Sequence, residues 1–238
     1  MMIIEGALSV KAAMESGRRT IEKVWIDQKR KSKDTNYIVF LSHQKQINLE
    51  FVSREQIDSL ATGSTHGGVI AFVSTRKFDP LPKNPNFVLL LEGIEDPFNL
   101  GQCIRTAYTA GVQAIITPMR RIDSMDSVIL KASAGASERI SWVMSESLKD
   151  TLMALKEAGV TVVSALRNSG SSDIFKTDLS MPVCICIGGE KRGLSTEVIE
   201  QTDVFSHIEY PTEVKVALSA TAAATIYIYE IVRQKKPV

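Results

Sequence analysis

Three cysteines and three histidines are all that 238 residues provide, and they fall into no metal-ligand or disulfide spacing. Cys184 and Cys186 alternate through an apolar stretch and Cys103 stands alone, which predicts buried thiols and no metal. No apolar run approaches the ~20 residues of a membrane helix, and the N-terminus lacks the basic and apolar regions of a leader. Both absences predict a cytoplasmic protein. Charge of one sign is scarce too: the net charge is +1, so no global basic field announces a nucleic-acid partner. Two glycine signatures are also missing. Glu92-Gly93 and Gly101 do not make G-x-G-x-x-G, and the stretch Gly188 to Gly193 holds Lys191 without completing G-x-x-x-x-G-K-[ST]. A dinucleotide fold and a Walker site are therefore disfavoured.

What is present is an α/β pattern, with 44% hydrophobic residues, enough for a substantial core. Residues 87–91, FVLLL, are too uniformly apolar for a strand that meets water, and predict a buried parallel strand. In the following stretch, EGIEDPFNLGQCIRTAYTAG, Ile104, Ala107, Tyr108 and Gly111 recur at helical spacing, with Asn99 as the predicted N-cap and Gly111 as the C-cap. Asp96, Pro97, Asn99, Gly101 and Arg105 thus cluster at a strand-to-helix turn. In open parallel sheets the carboxyl ends of strands form the ligand crevices. Residues 182–194, PVCICIGGEKRGL, predict a second buried strand running into a glycine-rich turn with one acid, Glu190. Tyr210-Pro211 and a small-residue helix over 217–230, ALSATAAATIYIYE, follow.

The N-terminal part reads differently. Residues 1–86 carry 13 Lys and Arg against 9 Asp and Glu, and the remainder 15 against 18, so the positive excess lies in the first part. A helix is predicted from Ala7 to Ser16, with Leu8, Val10, Ala13 and Met14 on one face and Gly17 as its stop. Strands are predicted at 21–26, 47–52 and 69–73, a helix at 36–44, and a short helix after Ser53. Arg18, Arg19 and Lys23 flank the first of these strands, and Lys29, Arg30, Lys31 and Lys33 crowd the loop beyond it. Such a run is either solvated surface or a phosphate-binding face. His66, before two glycines and with no evident partner, reads as a turn residue rather than an acid or base. Residues 78–86, with three prolines, predict a linker. Beyond it, strands at 113–117, 140–143 and 160–166 alternate with helices at 127–138 and 148–158, which argues for a parallel sheet covered on both faces.

In order and spacing, DPFNLGQCIRTA, the glycine turn after the second buried strand, and Tyr210-Pro211 with Leu218 resemble the three motifs of the SpoU/TrmH family of RNA ribose 2'-O-methyltransferases, within the SPOUT superfamily. The first part, with its Glu5-Gly6 opening and HGGV close, resembles the ribosomal-protein-like substrate-binding domain that often precedes this family's catalytic domain. The resemblance implies residues 1–77 as an RNA-binding domain, 78–86 as linker and 87–238 as a methyltransferase domain. It further implies a parallel sheet with a C-terminal trefoil knot, S-adenosylmethionine as cofactor, RNA as partner, ribosomal RNA foremost, and a homodimer. Periodicity alone would license no knot.

Methylating a ribose hydroxyl requires the oxygen in line behind the methyl group, water excluded, and the hydroxyl proton removed or shared. The family's central arginine matches Arg105. Guanidinium is a poor base, so Arg105 is expected to clamp a neighbouring phosphate bidentately and to stabilise charge on the attacking oxygen. Asn99 would orient the turn or the ribose. Glu190 would pin the glycine turn or the arginine, the structural role being favoured over the catalytic one. By the resemblance Gly188, Gly193, Tyr210 and Leu218 hold the cofactor, while Arg18, Arg19, Lys29, Arg30 and Lys31 are the RNA-binding candidates. The apolar C-terminal helix, ending in Arg233, Lys235 and Lys236, is the expected dimer face. Two departures stand out: Pro211-Thr212-Glu213-Val214 replaces the usual Pro-Met and glycine, one residue short, and Ala217-Leu218-Ser219 replaces Ser-Leu-Asn. Two readings therefore remain, an active RNA methyltransferase and an RNA-binding protein of the same fold that no longer methylates.

Overall fold

The computed structural model describes residues 2–63, 65–213 and 216–235. Val214 of the third motif and Lys236 of the C-terminal basic cluster lie outside the described residues. The chain divides into two compact units, Met1–Phe78 with Arg121–Arg139, and Asp79–Arg120 with Ile140–Val238.

In the first unit β1 (Met2–Glu5) leads into α1 (Ala7–Ser16), which ends as expected at Gly17 in the left-handed conformation, φ 67°. Val10, Ala13 and Met14 are buried, but Leu8 is 50% exposed. At about 100° per residue it lies at least about 120° round the helix from those three, so it cannot share their face. The chain continues through β2 (Ile21–Asp27), α2 (Lys33–Gln44), β3 (Asn48–Val52), α3 (Arg54–Asp58) and β4 (Val69–Val73). Helix α2 takes in Lys33, expected in the loop, because Ser32 and Thr35 close a reciprocal capping box. The sheet order is β1-β4-β2-β3, with β4 antiparallel to both neighbours and β3 parallel to β2. Val24 and Ile26 face the main core with Ile4, Ile38 and Val69, whereas Trp25 packs on the opposite side with Ile57 and Ile70. That is the period of two expected of a strand covered on both faces.

The second unit opens with β5 (Phe87–Glu92), α4 (Pro97–Thr109) and β6 (Ala114–Pro118). Next come α5 (Asp126–Ala132) and α6 (Ala136–Arg139), which cluster with the first unit although they lie beyond the proline-rich stretch. Leu130 enters that unit's core. The single helix expected over 127–138 is broken by positive φ at Ala134 and Gly135. A Cβ at Gly135 would lie 2.7 Å from the Cβ of Ala12, so the break is also where α1 packs closely.

The rest of the second unit comprises β7 (Ser141–Ser145), α7 (Leu148–Glu157), β8 (Thr161–Ala165), β9 (Ser172–Asp173), β10 (Val183–Gly188), α8 (Thr196–Glu200), β11 (Val204–His207) and α9 (Ala220–Gln234). Its seven strands run in the order β7-β6-β5-β10-β8-β11-β9, every neighbouring pair parallel. The two apolar runs recognised in the sequence are the central pair, in register from Val183 beside Phe87 to Gly188 beside Glu92. Strand β11, four residues long, was too short to declare itself. Cys103, Cys184 and Cys186 are buried free thiols. Helix α9 begins at Ala220, not 217, because Ser219 caps it by accepting from the Ala222 N–H.

Candidate cofactor and substrate cleft

The chain leaves β5 toward one side of the sheet and returns through β10 on the other, so the order switches between these strands. A crevice at their carboxyl ends follows from that topology. It is present: a cleft of about 350 Å³ lined by Gly93, Ile94, Glu95, Asp96, Asn99, Gly189, Glu190, Lys191 and Ala220. Asp96, not Asn99, is the N-cap of α4: its side chain accepts from the Asn99 N–H at 2.7 Å. Pro97, with its fixed φ, takes the first helical position, which leaves the Asn99 side chain to face the cleft.

The glycine turn is built by close backbone contact. A Cβ at Gly189 would meet the carbonyl oxygen of Gly93 at 2.1 Å, and one at Gly188 would meet the carbonyl carbon of Gly193 at 2.4 Å. Gly193, at φ 65°, donates from its N–H to the oxygen of Gly189 at 2.9 Å. Only glycine allows such approaches. Glu92 Oε2 accepts from the Ser195 N–H at 2.8 Å, tying the end of β5 to the chain just past the turn. Glu190 Oε1 accepts from the Ala220 N–H at 3.3 Å, which brings the turn against the start of α9. The Tyr210 hydroxyl accepts from the Leu218 N–H at 3.0 Å. Arg167 stands 6.0 Å over the Tyr210 ring and donates to Ile208 O and Glu209. His207 and Arg167 hold the Glu209 carboxyl below the usual carboxylate range, His207 having the larger effect.

The sequence reading missed Arg120, which donates to Ile94 O at 3.0 Å and so supports the cleft wall. Its burial disfavours its charge, opposed in part by Glu95. An arginine between a strand end and a loop has no local pattern to mark it. Burial pushes the Cys103 thiol, on the α4 face toward Thr221 of α9, up to about 11.

Of the expected site residues Asn99 and Glu190 line this cleft; Gly188 and Gly193 lie in the adjoining glycine turn, and Tyr210 and Leu218 are bonded to each other, but these four are not among its lining residues. Arg105 does not line the cleft; it is exposed on α4 and, among the described residues, makes no hydrogen bond or ion pair. In the first unit, Lys29, Arg30 and Lys31 are exposed, as expected. Arg19 is a correction. Its side chain is fully buried, with Asp126 at 2.9 Å and Glu138 at 2.5 Å, so it cannot reach a phosphate. Arg18 donates to the Glu138 carbonyl at 2.6 Å and is half-buried. His66 is in the turn, as expected, its Nδ1 accepting from the Gly68 N–H; what differs is that it has a neighbour, its Nε2 lying 2.8 Å from Asp58 Oδ1.

A parallel α/β sheet with a ligand crevice where its strand order switches, floored by glycine and walled by carboxylates, defines a class of small-molecule-binding enzymes. Comparison with known proteins narrows the class. The SpoU rRNA Methylase family matches residues 86–229, and RNA 2'-O ribose methyltransferase substrate binding matches residues 3–78. A relative from Staphylococcus saprophyticus, assigned to the TrmH family of tRNA/rRNA methyltransferases, is 33% identical over 98% of this chain and 96% of its own length. The 23S rRNA (guanosine-2'-O-)-methyltransferase RlmB of Shewanella oneidensis is 29% identical over 98% of both chains. The SpoU methyltransferase AviRb of Streptomyces viridochromogenes, solved in complex with AdoMet, shares the fold at a TM-score of 0.81 and 23% identity, over 98% of this chain and 90% of that one. The chain belongs to the SpoU rRNA Methylase family, a family of RNA methyltransferases.

S-adenosylmethionine is the cofactor of this family, and the residues present fit it. The cleft is of the roughly 300–1,000 Å³ size of small-molecule sites. Glu95, Asp96 and Glu190 outnumber Lys191 in its walls, which suits a ligand carrying a sulfonium and an ammonium.

Proposed function

We propose that the protein methylates a ribose 2'-hydroxyl in structured RNA, with ribosomal RNA as the substrate class. The observation that carries this reading is the convergence of Asn99 from the first motif and Glu190 from the second on one cleft, with Ala220, just beyond the third, closing it. The bound cofactor supplies an electrophilic methyl group on its sulfonium. Gly188 and Gly193 would let backbone approach it closely, and Tyr210 and Leu218 would bound it on the other side. Asn99 orients the ribose, for its amide can both donate and accept. Glu190 holds the glycine turn against α9. Arg105, exposed and uncommitted, clamps the phosphate beside the reacting ribose and stabilises charge on the attacking oxygen. The first unit, less residues 121–139, serves as the RNA-binding domain, with Lys29, Arg30 and Lys31 on phosphates.

Two further elements belong to this reading. The backbone crossing of Gly189 against Gly93 is the kind of approach a trefoil knot would need, and supports one in the C-terminal part. Phe98 and Tyr108 on α4 and Tyr229 on α9 are 54%, 43% and 50% exposed on helices that pack together, which supports a homodimer across that face. Light scattering should then give twice the chain mass at micromolar concentration, and a monomer would exclude it.

Transfer of labelled methyl from S-adenosylmethionine to deproteinised ribosomal RNA, followed by mapping of 2'-O-methylated positions, tests the function. Transfer to a base instead of a ribose would overturn the reaction class. The altered third motif, Ala217-Leu218-Ser219, favours a second reading, a protein that binds RNA without methylating it. Cofactor binding without transfer to any RNA would establish that one instead.

A further inference from the structure

The first unit holds a second cleft, of about 370 Å³, lined by Gln28, Arg30, Lys31, Thr35, Asn36, Val39 and Phe51. We infer that it binds one unpaired nucleobase of the RNA substrate, stacked on Phe51, with the adjoining phosphates on Arg30 and Lys31. The inference rests on the RNA reading above and adds to it where a single-stranded nucleotide is held.

Three features point to a base. First, Phe51 lies on β3, the edge strand, and is 58% exposed. A phenyl ring that protein packing leaves open at the mouth of a cleft, with Val39 as the other apolar wall, is a stacking surface that any base can use. Second, the Gln28 and Asn36 side chains carry amides, each able to donate and accept, and neither has a hydrogen-bond partner among the described residues. The Thr35 hydroxyl is by contrast already engaged with Ser32, so the two amides supply the base-edge contacts. Third, the charged residues of the lining are both cationic, Arg30 and Lys31, with exposed Lys29 beside them. An apolar peptide would not need that charge, whereas a nucleotide carries its phosphate next to its base.

The cleft is also formed in advance. The Gln28 N–H donates to Val52 O at 2.9 Å, Lys29 N–H to Asp27 Oδ1 at 2.9 Å, and Arg30 N–H to Asp27 O at 2.8 Å. The loop then ends in the Ser32 capping box. A loop so tied presents its cations without a large ordering cost on binding. Beyond Asn36, Tyr37 and Phe40 form a stacked pair, ring centroids 6.1 Å apart and 41% and 56% exposed, which extends the aromatic surface around α2.

The test uses the full-length protein and two fluorescein-labelled RNAs of equal length, a hairpin with an unpaired loop and a fully paired duplex, with binding read by anisotropy. The parent should prefer the hairpin. Phe51→Ala should lose about tenfold in hairpin affinity while duplex affinity and calorimetric binding of S-adenosylmethionine stay unchanged, and Phe51→Trp should keep the preference. Arg30→Ala with Lys31→Ala should weaken both RNAs and flatten the salt dependence. Parental hairpin affinity in Phe51→Ala would overturn the cleft assignment and leave the methyltransferase reading standing. Failure of the parent to bind either RNA would overturn both. A changed oligomeric state in Phe51→Ala with unaltered RNA binding would give the face to a second copy and overturn the inference as well.

Discussion

Glu190 accepts a hydrogen bond from the backbone N–H of Ala220, the first residue of α9. The acid of the glycine turn therefore satisfies an N–H that no intrahelical partner can satisfy, and places negative charge at a helix N-terminus. Glu190→Gln keeps an acceptor oxygen and should retain cofactor affinity within a few-fold. Glu190→Ala should lose about 0.5–1 kcal/mol of stability in urea unfolding and bind the cofactor more weakly. Equal affinities in all three proteins would exclude a role in holding the site. Gly188→Ala is a poorer probe, since its Cβ would press on the Gly193 backbone and disturb the turn itself.

Arg105 is exposed and makes no hydrogen bond or ion pair among the described residues, so Arg105→Ala should melt at the parental temperature. Its kcat should fall by about two to three orders of magnitude, the scale of losing one positioned charge stabiliser, with cofactor affinity intact. Arg105→Lys should recover little, because an ammonium lacks the planar fork. Undiminished turnover in the alanine variant of an active enzyme would remove Arg105 from the reaction.

Arg19 is expected to act on stability alone. Burial opposes its charge, yet Asp126 and Glu138 outweigh that and hold the guanidinium more firmly protonated. Arg19→Met strands two buried carboxylates and should cost about 3–5 kcal/mol in chemical unfolding. Parental stability together with weakened RNA binding would return this residue to the RNA face.

Glu5 gives the first unit a pH dependence. Burial raises its carboxyl pKa, but bonds from the Thr62 hydroxyl and N–H and from Lys131 outweigh burial and place it below the ordinary 4.5. A depressed folded value contributes stability that is fully present above 4.5 and is lost as pH falls through the folded value. Glu5→Gln should therefore be less stable than the parent at neutral pH, and the gap should close as the pH drops below that window. A gap that stays constant from pH 7 to pH 3 would mean that the carboxylate charge is not what matters.

The sequence by itself determined the elements whose information is local. FVLLL and VCICI read as buried strands, Ser53 with Gln56 wrote its own capping box, and Gly17 marked a helix end, because each depends on neighbours within a turn or a strand. The cap of α4 was local as well: Pro97 at the first helical position sets Asp96, not the expected Asn99, as the N-cap, a signal written in the sequence and misread there. The three motifs likewise named Asn99, Arg105 and Glu190 without coordinates. Tertiary structure decided what depends on partners far along the chain. Arg18 and Arg19 looked alike in a basic run, and only residues more than a hundred positions away bury the second as an ion pair. The grouping of residues 121–139 with the first unit, the order switch that opens the cleft between β5 and β10, and the cleft under Phe51 are all products of long-range packing. Periodicity fixes which face of an element is apolar; which element meets that face is settled only when the chain closes on itself.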